Sequence, residues 1–119
     1  MSLSVVPHGI VLGSGWEFSP PTLLAEWAPP ARDGVYVILT LDSHAQSVVR
    51  VLYVGQTQNF EERGFPNGHH KAACWKKHAG GKPLYVATFL TFGLEGWRRR
   101  LEASLLQTYD PPCNDYGCA

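Results

Sequence analysis

The seven positions from Val35 to Leu41 are apolar or β-branched, with no polar face between them. A run of this kind without alternation predicts a strand covered on both sides and opening at Gly34. Polar residues 42–47 read as a turn and 48–55 as a second strand, so an antiparallel hairpin is the simplest pairing. Strand alternation then groups Tyr36 with Ile38 on one face, and Tyr53 with Val51 on one face of the neighbour. Thr57 can cap a short helix over 58–63, which Gly64 and Pro66 stop. A second helix is expected over 69–78, closed by Gly80-Gly81, and a third strand over 84–92. A longer helix follows over 94–109 and cannot pass Pro111-Pro112.

Upstream, residues 1–33 are rich in Gly, Pro and Trp and read as an N-terminal extension. Ser19-Pro20-Pro21 predicts a helix start running through 22–28, with Trp16, Phe18 and Trp27 packed over one side of the domain. The whole is expected to be one small α/β domain over 1–119: a three-stranded antiparallel sheet flanked by helices, with its core over about 34–115.

Composition narrows the class without naming a function. A hydrophobic content of 45% and a charged content of 17% are those of a globular chain. No apolar run approaches the ~20 residues a membrane-spanning helix needs, and there is no basic start followed by an apolar block. No membrane association is expected. Cys74, Cys113 and Cys118 are an odd number without a CxxC pair, so the expectation is no disulfide framework and a reducing, cytoplasmic interior. The formal net charge is zero, yet residues 63–100 hold eight bases against the single acid Glu95. A basic middle of this kind either offers a phosphate-attracting face or is dispersed over the surface on folding.

Four features then fall in order: Gly34-Val35-Tyr36 opening the first strand, Tyr53-Val54-Gly55 closing the second, Arg63 ten residues after Tyr53, and Glu102 on the last helix, with Asn114 beyond it. This order resembles the GIY-YIG nuclease family over roughly 34–115. The resemblance implies metal-dependent hydrolysis of a DNA strand. Tyr36 and Tyr53 would position or deprotonate the attacking water, and Arg63 would hold the scissile phosphate. Glu102 would be the one carboxylate ligand of a single Mg²⁺ or Mn²⁺ ion, and Asn114 would support the site. Many members carry His or Tyr one turn after the arginine, where this chain has Asn67. Either His69 or His70 would then serve as proton carrier or phosphate contact. Some members also have a lysine where Gln56 stands.

The chemistry of these residue types agrees. Arginine offers a planar fork that fits phosphate. One carboxylate suffices for a hard cation that keeps its waters and takes substrate oxygens. Tyrosine is a poor base unless a neighbour stabilises its anion. Simpler readings stand beside each. The tyrosines suit strands in their own right, Arg63 could be solvated, and Glu102 could pair with Arg98 four residues earlier. His70, Cys74 and His78 also share one helical face, a set that zinc would use with Cys113, Cys118 or water as a further ligand. A half-buried helix face is the first expectation for them. The functional expectation is a DNA endonuclease acting alone, as a homodimer or with a DNA-recognition partner. The alternative is a related module that binds nucleic acid without cutting it.

Overall fold

The computed structural model describes residues 9–42, 47–61 and 69–114. At its centre β4 (Gly34–Asp42) pairs antiparallel with β5 (Ser47–Thr57) on one side and with β6 (Tyr85–Leu90) on the other. A two-residue strand, β3 (Thr22–Leu23), adds to the far side of β6, giving the order β3-β6-β4-β5. β1 (Ile10–Leu12) and β2 (Trp16–Phe18) form a separate ribbon. Helix α1 (Ala72–Ala79) supplies the cover on one face of the sheet and α2 (Glu95–Tyr109) on the other. Among the described residues the architecture is a small α/β domain with two helices and six antiparallel strands in two sheets. The three-stranded sheet expected from the sequence gains a fourth strand and a ribbon from the N-terminal extension.

β4 is central and has helices on both sides, which is why it is apolar in both directions. Val35, Val37, Leu39 and Leu41 face α2 and pack with Leu101 and Leu105, while Tyr36 and Ile38 face α1 and pack with Cys74 and Trp75. The helix boundaries follow local chemistry. Gly80 ends α1 in the left-handed conformation (φ 61°, ψ 36°), which its missing Cβ permits. Asp110 ends α2 in the same region at φ 44° before the two prolines.

The structure corrects four expectations. The helix expected over 22–28 is a strand followed by a single 3-10 turn, Leu24–Glu26. Residues that precede proline are driven towards extended backbone, and Ser19 precedes Pro20. Ser19 joins Thr88 instead, its N–H donating to the Thr88 carbonyl at 2.9 Å and its Oγ accepting from the Thr88 N–H at 3.0 Å.

The aromatic residues of the extension do not share one side. Trp16 and Phe18 lie on the α2 face against Phe89, whereas Trp27 lies on the α1 face, 5.9 Å from Phe60 between ring centroids.

Tyr53 and Val51 are also separated. The register pairs Ile38 with Tyr53 but Leu39 with Val51, so Leu52 is the extra residue of a bulge. One inserted residue reverses the facing of everything beyond it. Val51 accordingly joins the α2-side core and Tyr53 the α1-side core.

Finally, Cys74 and Cys113 are joined by a disulfide across a sequence separation of 39. The expectation of no cross-link rested on spacing alone, and the fold brings their Cα atoms to 5.9 Å. In the chain-entropy account, closing a loop of that length stabilises the fold by about 3–4 kcal/mol.

Candidate functional site

The bulge at Leu52 sets up a cluster of rings under α1. Tyr36 and Tyr53 come to 5.9 Å between centroids, and His69 lies 5.2 Å from Tyr53. Trp75, from the first turn of α1, closes the group at 4.5 Å from His69 and 5.6 Å from Tyr53. Phe60 bounds it from the β5 side, 6.2 Å from Tyr36. The glycine of the second tripeptide makes this possible: Gly55 pairs with Tyr36 across the hairpin, and a Cβ there would collide with the Tyr36 hydroxyl. The glycine of the first tripeptide has a matching reason, since a Cβ on Gly34 would strike the Phe89 carbonyl of β6.

Within the cluster the His69 ring is oriented at both nitrogens. The backbone N–H of Lys71 donates to Nδ1 at 3.0 Å, so in the neutral ring the proton resides on Nε2. Nε2 lies 2.9 Å from the Tyr36 oxygen and donates to it. A donor aimed at a phenolic oxygen favours negative charge on that oxygen. His69 is 5% exposed and Tyr36 is fully buried, in surroundings that strengthen such a bond. His70 stacks on His69 at 4.6 Å but is itself exposed. Of the two histidines left open by the sequence, His69 is therefore the one that engages a tyrosine.

Asn114 holds the same stretch of β5. Its Oδ1 accepts from the Val54 N–H at 2.9 Å and its Nδ2 donates to the Val54 carbonyl at 2.8 Å. β5 is the last strand of its sheet, and the Asn114 amide takes the place of a neighbouring strand beside Tyr53. The 3-10 turn Pro112–Asn114 carries both this amide and Cys113.

Glu102 belongs to the other layer. It is half-buried on α2, one residue past Leu101, whose side chain packs on the face of the sheet opposite the rings. Of the four side chains expected to share one cleft, the two tyrosines converge, with His69 added, and Glu102 lies half-buried on α2. Arg63 and Asn67 lie outside the described residues. Arg98, the sequence-level rival for Glu102, directs its Nε to Gln56 Oε1 at 2.6 Å and its Nη1 to Asp33 Oδ2 at 3.5 Å. The same Asp33 carboxylate accepts from Thr91 Oγ1 at 2.6 Å and from the Gly93 N–H at 2.8 Å. Burial pushes the Asp33 pKa up, but these hydrogen bonds and the Arg98 charge outweigh it and hold the carboxyl below its ordinary value.

The basic stretch is divided accordingly. Arg98 is 4% exposed and structural, and Arg99 pairs with Glu95 at 2.9 Å. Lys76 and Lys77 are exposed on α1, and Arg100 is exposed on α2, the helix covering the opposite face. Sequence reasoning missed two contributors, Trp75 and Asp33, and named Cys113 only as a possible metal ligand, without its link to Cys74.

No family model, curated protein or solved structure matches the chain. Among the described residues no helix is long and apolar enough to cross a membrane.

Proposed function

We propose that the chain is a divalent-metal-dependent endonuclease that hydrolyses DNA phosphodiester bonds through a GIY-YIG-type site. One observation carries this reading: the Tyr36 oxygen sits 2.9 Å from His69 Nε2, with Tyr53 beside both rings. A histidine held in one tautomer against a phenolic oxygen satisfies the buried hydroxyl and also places a proton donor where a phenolate would form.

In this mechanism Tyr36 acts as a phenolate whose negative oxygen the His69 N–H stabilises, and on taking the proton of the attacking water it becomes the neutral phenol and leaves hydroxide as the nucleophile. Tyr53 orients that water. Arg63 binds the scissile phosphate through its planar fork. Asn114 keeps Tyr53 in place by pinning the backbone of the next residue. The Glu102 carboxylate offers an oxygen ligand of the kind a hard cation prefers. A Mg²⁺ or Mn²⁺ ion held there would offset charge developing on the phosphoryl and leaving oxygens. A DNA-recognition partner or a second copy of the chain belongs to the same proposal.

A second reading has its own support. Tyr36 is fully buried and Glu102 is carried by the other layer, an arrangement that suits a module binding DNA without cutting it. The deciding experiment is incubation of supercoiled, branched and single-stranded DNA with Mg²⁺ or Mn²⁺. Nicking or cutting abolished by EDTA is expected. Inertness of the folded protein on all three substrates, with binding retained, would establish the second reading.

A further inference from the structure

Cys74 and His78 lie one turn apart on α1, and Cys113 meets them from the 3-10 turn after α2. Their ligand atoms, two Sγ and one imidazole nitrogen, all lie within 4.8 Å of one another. Both cysteines are buried, Cys74 at 2% exposure and Cys113 at 0%, and His78 is half-buried. We propose that the reduced protein binds one zinc ion through Cys74, His78 and Cys113, and that the Cys74–Cys113 disulfide is the metal-free state of the same site.

The distances suit this assignment. Zinc–sulfur bonds of about 2.3 Å in a tetrahedral shell place two thiolates about 3.8 Å apart. That separation falls inside the 4.8 Å envelope, so exchanging the disulfide for the ion needs little backbone movement. Two thiolates neutralise a dication, which lets the site stay buried without net charge. Their softness favours zinc and disfavours Mg²⁺ or Mn²⁺, so this site is chemically separate from the carboxylate Glu102. His78 falls in the last turn of α1, where the helix carbonyls add negative potential. Its partial exposure leaves the fourth coordination position to water, as in zinc sites with three protein ligands.

The exchange balances. A dithiol reductant transfers two electrons and two protons to the disulfide, giving two Cys thiols and its own disulfide. Zinc then displaces the two thiol protons to solvent as both sulfurs bind. In either state α1 remains fastened to the turn that carries Asn114. Trp75 of α1 touches Tyr53 and His69, so the fastening bears on the ring cluster.

The test uses full-length protein without DNA, stripped with EDTA and reduced with a phosphine, then titrated with Co²⁺ as a visible probe and Zn²⁺ as competitor. One equivalent of Co²⁺ should produce a thiolate-to-metal charge-transfer band and tetrahedral visible bands, both erased by Zn²⁺. Oxidised protein should give neither. His78→Ala leaves the cysteines and the disulfide intact, and should weaken binding by more than about tenfold, the smallest loss that even outer-sphere changes produce at such sites. Absence of the charge-transfer band in reduced wild-type protein would overturn the proposal. So would undiminished affinity in His78→Ala. Either result leaves the nuclease reading untouched, because no cleavage is measured.

Discussion

Tyr36 Oη and His69 Nε2 lie 2.9 Å apart although 33 residues separate them in the chain. The contact depends on the Lys71 N–H, which fixes the histidine ring, and Tyr53 lies beside both rings. If that oxygen handles the proton of the attacking water, Tyr36→Phe should lower cleavage by about 10²-fold or more, beyond the loss of about 1–3 kcal/mol of stability that follows from stranding the His69 N–H. Glu102→Gln should abolish the stimulation by Mg²⁺ or Mn²⁺ with the fold intact. Wild-type rates in both variants would remove the assigned roles.

Arg98 and Arg100 should behave oppositely, though both are arginines of one helix. Arg98→Gln leaves Asp33 and Gln56 without their buried partner and should cost about 2 kcal/mol in a denaturant titration. Arg100 is exposed, and Arg100→Gln should change stability by less than about 0.5 kcal/mol. Its effect, if α2 meets DNA, should be a shallower fall of DNA affinity with rising salt, by about one counterion. An unchanged salt slope would assign Arg100 to the solvated surface.

Asn114→Ala should destabilise the protein by about 1–3 kcal/mol, since it strands both polar groups of Val54 at the edge of β5. Cleavage should fall further than stability alone explains, because Tyr53 is the adjacent residue. Parallel melting and activity curves measure the two effects separately.

Asp33 should confer an acid-side pH dependence. Its folded pKa lies below the ordinary 3.8, so the unfolded chain binds more protons across that interval and stability rises with pH through it. The contribution is therefore complete above the unfolded value and is lost as pH falls through the folded one. Asp33→Asn should flatten the stability profile in that acidic window, measured by denaturant midpoints, and leave the slope near neutrality unchanged. An identical acidic slope in the variant would show that other carboxylates dominate it.

Local periodicity alone determined the strands at β4, β5 and β6, the two helices α1 and α2 and their C-terminal ends, because strand and helix preferences and the turn residues Gly80 and Pro111 act over only a few positions. By contrast, α1 begins at Ala72 rather than at residue 69, and the helix expected over 58–63 runs into residues outside those described. The order of tyrosines, Glu102 and Asn114 was legible for the same reason: each is named by its place in a strand or helix. What the tertiary structure decided depends on contacts between distant segments. Period-two alternation cannot reveal that Leu52 is inserted, yet that single residue sends Tyr53 to the rings and Val51 away from them. Arg98 looked like part of a basic face until packing buried it against Asp33. Cys113 carried no pairing signal until Asn114 anchored its turn on β5 and brought it to Cys74. The choice of His69 over His70 was equally non-local. Two adjacent histidines are equivalent in sequence, and only the position of the Tyr36 hydroxyl distinguishes them.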